Sequence, residues 1–335
     1  MLWLLIVLVA GGMAGMLLGF KDVRGALAGA NWLLASGGVL ASAVAYTAIG
    51  HRFMSLGRVV GVRPPGRRMA ELGYVSTTMG RVLMGGGTAG ILLRVLVLKR
   101  HGVAVGNAAA TSVLHSYLNF VLVLAVFFAA LGLVLAGSSA SSTQVAGMVA
   151  AGSVVAVVVV GISVLLISRR LRGAFVGLLI TLIRRVTGKD VSHHGCQFHT
   201  SFQDAVSTAR RRRAGLAVPA ALLAVEGLAA MTVLWISFAS LGVHIDPKVL
   251  VAGFGIGGAV AMASMLPGGL GVQEGSMAGV FALLGVDIDH AIAAAVMYRV
   301  VYFFIPFAAT VFFYRHILAR PQAEVPVLPP RIGGS

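Results

Sequence analysis

The sequence predicts an all-α polytopic membrane protein with about six full spans and two re-entrant broken hairpins, arranged as an inverted-topology repeat. Three observations carry this reading. Of 335 residues, 58% are apolar and only 11% charged, whereas a soluble domain carries about a quarter charged residues. Uncharged runs recur along the whole chain. Lys and Arg are concentrated in a few connections, the asymmetry that sets orientation in a bilayer.

The elements follow in order. Residues 1–20 and 25–50 contain no Asp, Glu, Lys or Arg. The first run lacks a basic leading region and a clear cleavage site, so it is expected to be a retained span. Residues 103–168 are again free of those four residue types. They are long enough for two spans, and the small polar run GSSASSTQ (137–144) makes the turn between them. Three later stretches, 214–242, 250–286 and 290–314, are each interrupted by a single charge: Glu226, Glu274 and Arg299.

Orientation follows from the basic residues. Segment 51–70 holds Arg52, Arg58, Arg63, Arg67 and Arg68, and segment 169–213 holds ten Lys and Arg, ending in Arg210 to Arg213. With Arg315, Arg320 and Arg331, these are expected on the cytoplasmic side. The loops at Lys21/Asp22/Arg24, Asp246/Lys248 and Asp287/Asp289 go to the other side. Stretch 71–98 then begins and ends inside, and 250–286 begins and ends outside, so each must enter and leave on one face. Each is broken in its middle, by MGGGTAG (84–90) and PGGLG (267–271). Glycine and proline break helices, and non-helical backbone at membrane depth is tolerated only under protein or beside a watery cavity. The expected organisation is one transmembrane domain, 1–318, with inverted halves of about 1–136 and 145–316. It carries a cytosolic basic loop at 169–213 and a cytosolic tail at 319–335, with both termini cytoplasmic. The formal net charge of +16 is then chiefly a record of orientation, not a nucleic-acid footprint.

Five charges lie inside apolar stretches: Arg81, Arg94, Glu226, Glu274 and Arg299. Each costs about 2.5–3.5 kcal/mol at a span centre, so pairing or a wet cavity is expected. They either close the bundle as ion pairs or form a ligand site where the two broken segments meet. A helix starting near Val272 would direct free N–H groups into the protein, as would one after the first break, which carries Arg94. The candidate phosphate or headgroup site is therefore Arg94, Arg299, Gly268, Gly269, Gly271, Gly86 and Gly87, with Tyr298 beside Arg299. Glu274 and Glu226 would balance charge, carry protons or hold an amine, and Glu274 has the simpler option of capping its own helix.

Other features rank lower. His193, His194, Cys196 and His199 are ligand-like types, but their spacing matches no standard zinc site. The single cysteine excludes an internal disulfide. Segment 171–186 is amphipathic and suited to the inner-leaflet surface. The four-residue spacings Gly11/Gly15/Gly19 and Gly271/Gly275/Gly279 read as close helix packing. There is no Walker motif, GxSxG or HExxH, so neither ATP-driven transport nor hydrolysis has support, and no cofactor or metal is implied.

PGGLGVQEGSMAGVFALLGV (267–286), followed by Tyr298/Arg299 and Pro306, resembles the signature of the lysylphosphatidylglycerol synthase transmembrane family, or flippase-like domain family. GGGTAGILLRVLVLKRHGV (85–103) is similar more weakly, with Arg94 on the family's arginine. The resemblance runs from about residue 2 to 316. It implies a membrane domain that moves a lipid between leaflets, here without the soluble aminoacyltransferase domain of bifunctional members. The chain departs from the pattern where Gly86 replaces a proline and Ile91 a glutamate, and where His115 stands at a common glutamate position. The expectation is an inner-membrane lipid translocase, not an enzyme, acting on an anionic or zwitterionic phospholipid or lipid-linked intermediate. The alternatives are an accessory subunit beside enzymes of an envelope-lipid pathway, such as hopanoid or glycan-lipid synthesis, or a membrane-embedded headgroup transferase.

Overall fold

In the computed structural model of the chain, residues 21–310 are described except 63–65, 83–87, 138–140, 169, 172, 175–176, 179–180, 182–184, 186–191 and 265. The expected first span at 1–20, Gly11, Gly15, Gly19, Gly86, Gly87, the tail at 319–335 and most of the amphipathic segment lie outside the described residues.

The regular elements among the described residues are all helices, chiefly α1 (Lys21–Ala28), α2 (Trp32–Val60), α3 (Gly66–Val82), α4 (Thr88–Arg100), α5 (Val105–Gly137), α6 (Ser142–Ile167), α7 (Ser192–Arg211), α8 (Ala217–Ser240), α9 (Pro247–Ala263), α10 (Val272–Leu283) and α11 (Ile288–Arg299). A π-helical turn, Val300–Phe304, carries α11 on into helical residues as far as 310. Five of these elements are long and apolar enough to span a bilayer: α2, α5, α6, α8 with its leading turn, and α11 with its extension. The protein is an all-α polytopic membrane protein.

The order of elements repeats. Span α2, broken pair α3/α4 and span α5 are followed, after α6, by span α8, broken pair α9/α10 and span α11. The equivalent spans α2 and α8 pack together, and they run in opposite directions. Asn31 N–H at the start of α2 donates to the Ser240 carbonyl at the end of α8 (2.7 Å). Gly38 faces Val233 and Ile236 in the middle. Gly215, just before α8, faces Val59 at the far end of α2. Two equivalent elements packed antiparallel are what an inverted repeat requires.

Local chemistry fixes the element ends. The Asn31 side chain caps α2, and Gly61 ends it at φ 90°, in the left-handed conformation that glycine adopts without a Cβ penalty. Ser141 and Gln144 form a reciprocal capping box on α6. Asp287 caps α11 by accepting from the His290 N–H, and that bond holds its carboxyl below the usual range. Arg210 donates to the Leu166 carbonyl at the end of α6 (2.7 Å), and Arg212 to the Arg58 carbonyl at the end of α2 (3.3 Å). Two of the four consecutive arginines thus complement helix C-termini.

Two expectations are corrected. Arg52, counted with the loop at 51–70, lies within α2 and is 1% exposed, because the helix runs ten residues beyond the uncharged stretch. Gly275 and Gly279 are exposed and would place a Cβ with nothing within 4 Å, so they are not a packing stripe, and Gly271 instead adopts φ 76° at the start of α10. Close approach falls at other glycines. A Cβ on Gly50 would sit 2.7 Å from the Ala70 carbonyl oxygen, one on Gly73 2.6 Å from Phe53 Cβ, and one on Gly90 2.6 Å from the Ser76 carbonyl oxygen. These contacts seat α3 on α2 and α4 on α3.

Gly90→Val should therefore separate α4 from α3, cost about 1–3 kcal/mol by overpacking and lower the melting temperature in detergent. Gly275→Ala, at an open position of a helix, should leave it unchanged or raise it slightly.

Candidate functional site

The second break meets the end of α3. A Cβ on Gly268 would lie 2.8 Å from the carbonyl oxygen of Arg81, the penultimate residue of α3. Beside this junction a cavity of about 270 Å³ is lined from both halves of the chain. Ser76, Thr77, Arg81 and Arg94 come from α3 and α4, and Arg52 from α2. His115 and Asn119 come from α5, Glu226 from α8, and Tyr298 and Tyr302 from α11 and its π turn.

Glu226 is the one carboxylate among the lining residues. It is 3% exposed and bridges two elements, with Oε2 2.9 Å from Arg52 Nη2 and Oε1 3.5 Å from Arg81 Nη2. Arg81 is further held by donating to Tyr46 Oη (2.9 Å), and it stacks over the rings of Tyr46, Tyr302 and Phe303 at 5.2–5.6 Å. Such cation–π contacts are worth more where water is excluded. The Tyr46 hydroxyl donates in turn to the Tyr302 carbonyl (3.0 Å), inside the π turn that directly follows Arg299. Turns of this kind are frequent at functional sites.

Arg94 is 4% exposed and donates to two hydroxyls, Ser76 Oγ (2.6 Å) and Thr77 Oγ1 (2.7 Å), with Phe53 under its guanidinium at 5.1 Å. Among the described residues no carboxylate lies within ion-pair reach of it. His115 Nε2 lies 3.4 Å from both Arg52 Nη2 and Thr77 Oγ1. The site thus sets three guanidiniums against one carboxylate.

Arg299 and Glu274 occupy a different place. Arg299 Nε donates to Glu274 Oε1, Nη1 to the Gly268 carbonyl (2.6 Å) and Nη2 to the Gly269 carbonyl (3.3 Å). Glu274 Oε2 accepts from the Gly271 N–H (2.9 Å), capping α10. Neither Arg299 nor Glu274 nor Gly271 lines the cavity, whereas Arg94, Glu226, Gly268, Gly269 and Tyr298 do. The Arg299 guanidinium is consumed in holding the second break in shape. Gly268 and Gly269 present carbonyls to it, at φ 59° and 61°.

Arg52 and His115 are the lining groups that sequence reasoning placed elsewhere or passed over. His115 had a signal, since it stands at a common glutamate position of the resembled family. His199 contacts Gln203 (2.8 Å), and the side chains of His193, His194 and Cys196 lie outside the described residues. Among the described residues no group of three or more His, Cys, Asp or Glu is placed to hold a metal.

A polytopic helical protein with two broken helix pairs and a cationic cavity lined from both is the class that fold and site define. The chain belongs to the family described as "Lysylphosphatidylglycerol synthase TM region", which matches residues 2–309. It is also similar to a "UPF0104 membrane protein" of Methanothermobacter thermautotrophicus, 32% identical over 73 residues, or 22% of this chain. That stretch spans 21% of the relative's own length.

Arg299→Ala should leave Glu274 as an uncompensated buried charge and destabilise the protein by about 3–5 kcal/mol, read as loss of melting temperature in detergent. Pairing it with Glu274→Gln should recover part of that loss.

Proposed function

We propose that the protein is a lipid translocase of the bacterial inner membrane, with both termini cytoplasmic. It binds the anionic phosphate of a phospholipid or lipid-linked intermediate in the cavity and passes it between leaflets without ATP or covalent chemistry. The observation that carries this reading is the charge surplus: Arg52, Arg81 and Arg94 against the single carboxylate of Glu226 around a partly open cavity lined from both halves. Uncompensated guanidiniums at membrane depth are costly and become favourable when a phosphate completes them, since arginine and phosphate pair bidentately.

An amphiphile suits the lining better than a free anion does. Along α5 the lining changes from His115, Ser116 and Asn119 to Leu122, Val123 and Val126, within about 16 Å at the helical rise of 1.5 Å per residue. Phe254 and Met262 of α9 continue the apolar end. A cavity of this size holds a headgroup, and acyl chains would leave along the apolar side. The antiparallel α2/α8 pair supplies the near-symmetry by which broken-helix transporters expose one site to either face in turn. Arg94, Arg52 and Arg81 bind phosphate in this scheme, Glu226 is the internal counter-ion, and Arg299 with Glu274, Gly268, Gly269 and Gly271 is the positioning frame.

Reconstituted into vesicles with a trace of fluorescent phosphatidylglycerol, the wild type should make inner-leaflet label accessible to an external quencher faster than protein-free vesicles do. Arg94→Ala should lower that rate at least tenfold with little change in melting temperature, because its removal leaves no partner carboxylate stranded. A rate equal to that of protein-free vesicles, with fluorescent phosphatidic acid as well as with phosphatidylglycerol, would count against translocation and favour an accessory role.

A further inference from the structure

Resting on that reading, we propose that the site selects a headgroup with two negative charges and no ammonium, a phosphomonoester or pyrophosphate and not a zwitterionic or aminoacylated phosphate.

Charge is the first ground. Arg52, Arg81 and Arg94 carry three positive charges into the cavity and Glu226 returns one negative charge, leaving a surplus of two. A phosphomonoester carries about −1.5 to −2 at neutral pH, whereas a phosphodiester carries one.

Unspent donors are the second ground. Arg52 is 1% exposed, yet its Nε and Nη1 have no hydrogen-bond partner. Buried donors left unmade are expensive, and more so on a charged group. Arg94 spends two of its nitrogens on the neutral hydroxyls of Ser76 and Thr77, so its charge is solvated but not neutralised. A terminal phosphate has three oxygens free to accept, one more than a diester offers to such a cationic site.

The third ground is what an ammonium would meet. Both oxygens of Glu226 face guanidiniums, and Glu274 is committed to Arg299 and the Gly271 N–H. The polar side chains left among the lining residues are neutral, such as Asn119 and Gln273. An amine would enter a field of three cations without a carboxylate of its own. The point on α4 near that of Glu274 on α10 is held by Ile91, so the first half supplies no second carboxylate.

The test is equilibrium binding of tail-labelled lipids to the detergent-solubilised full chain. The probes are phosphatidic acid as the monoester, phosphatidylglycerol as the monoanionic diester and phosphatidylethanolamine as the zwitterion, with inorganic phosphate and pyrophosphate as unlabelled competitors. Phosphatidic acid should bind at least tenfold more tightly than phosphatidylglycerol, and phosphatidylethanolamine more weakly still. Arg94→Gln should reduce the advantage of phosphatidic acid to about threefold or less at an unchanged melting temperature. Glu226→Gln, which removes the internal competitor, should tighten phosphatidic acid binding. Equal or tighter binding of phosphatidylglycerol or phosphatidylethanolamine would overturn the dianion selection and leave the lipid site standing. Inorganic phosphate binding as tightly as phosphatidic acid would keep the headgroup chemistry but remove the lipid as its source. Failure of all three lipids to bind above a protein-free control would overturn both the selection and the translocase reading.

Discussion

Glu226 is the group around which the cavity is organised. One carboxylate, on α8, reaches Arg52 on α2 and Arg81 at the end of α3, so it ties the antiparallel pair of equivalent spans to the tip of the first break. A buried ion pair repays its desolvation only when geometry is good and the remaining donors are satisfied. Here they are not: Arg52 keeps two unpartnered nitrogens, and Arg94 brings a further charge held by two hydroxyls and the Phe53 ring. Closing a helix bundle needs no such surplus. The anion site proposed here would use it.

The two halves use one device for different ends. Each has a glycine-rich break followed by a helix start, with an arginine nearby. In the second half Glu274 caps that start, and Arg299 is spent on Glu274 and two carbonyls of the break. In the first half Ile91 stands near the corresponding point, and Arg94 turns to Ser76 and Thr77 on the facing helix. One arginine is neutralised into a frame, while the other is left as a cation in a cavity. The aromatic cluster of Tyr46, Tyr302 and Phe303 surrounds Arg81, and its Phe303 ring also lies under Arg299. Both the frame and the site therefore converge on the π turn after Arg299.

Much of this was legible in the sequence. Intramembrane charges stand out against an apolar background, so Arg81, Arg94, Glu226, Glu274 and Arg299 could be singled out one by one. The breaks at 84–90 and 267–271 were visible because glycine and proline cannot continue a helix, and α10 begins at Val272 as that rule places it. Arg52 was not legible. It sits two residues past an uncharged run, where a count of basic residues assigns it to a loop, and only the continuation of α2 to Val60 buries it. The division of labour between Arg94 and Arg299 was equally hidden, because it depends on which oxygens lie within 3.5 Å after packing. Glycine spacing misled for a related reason: Gly275 and Gly279 share a helix face, but no neighbour approaches it, while Gly50, Gly73 and Gly90 touch other helices without any repeat to announce them.

The central claim is that the cationic surplus around Glu226 exists to hold an anionic lipid headgroup. Native mass spectrometry of the full chain, released from membranes in mild detergent, tests it most directly. The account predicts a phosphate-bearing anionic lipid bound one to one on the wild type and lost from Arg94→Ala at an unchanged fold. The same lipid retained equally by both proteins, or a wild type that carries none, would contradict it.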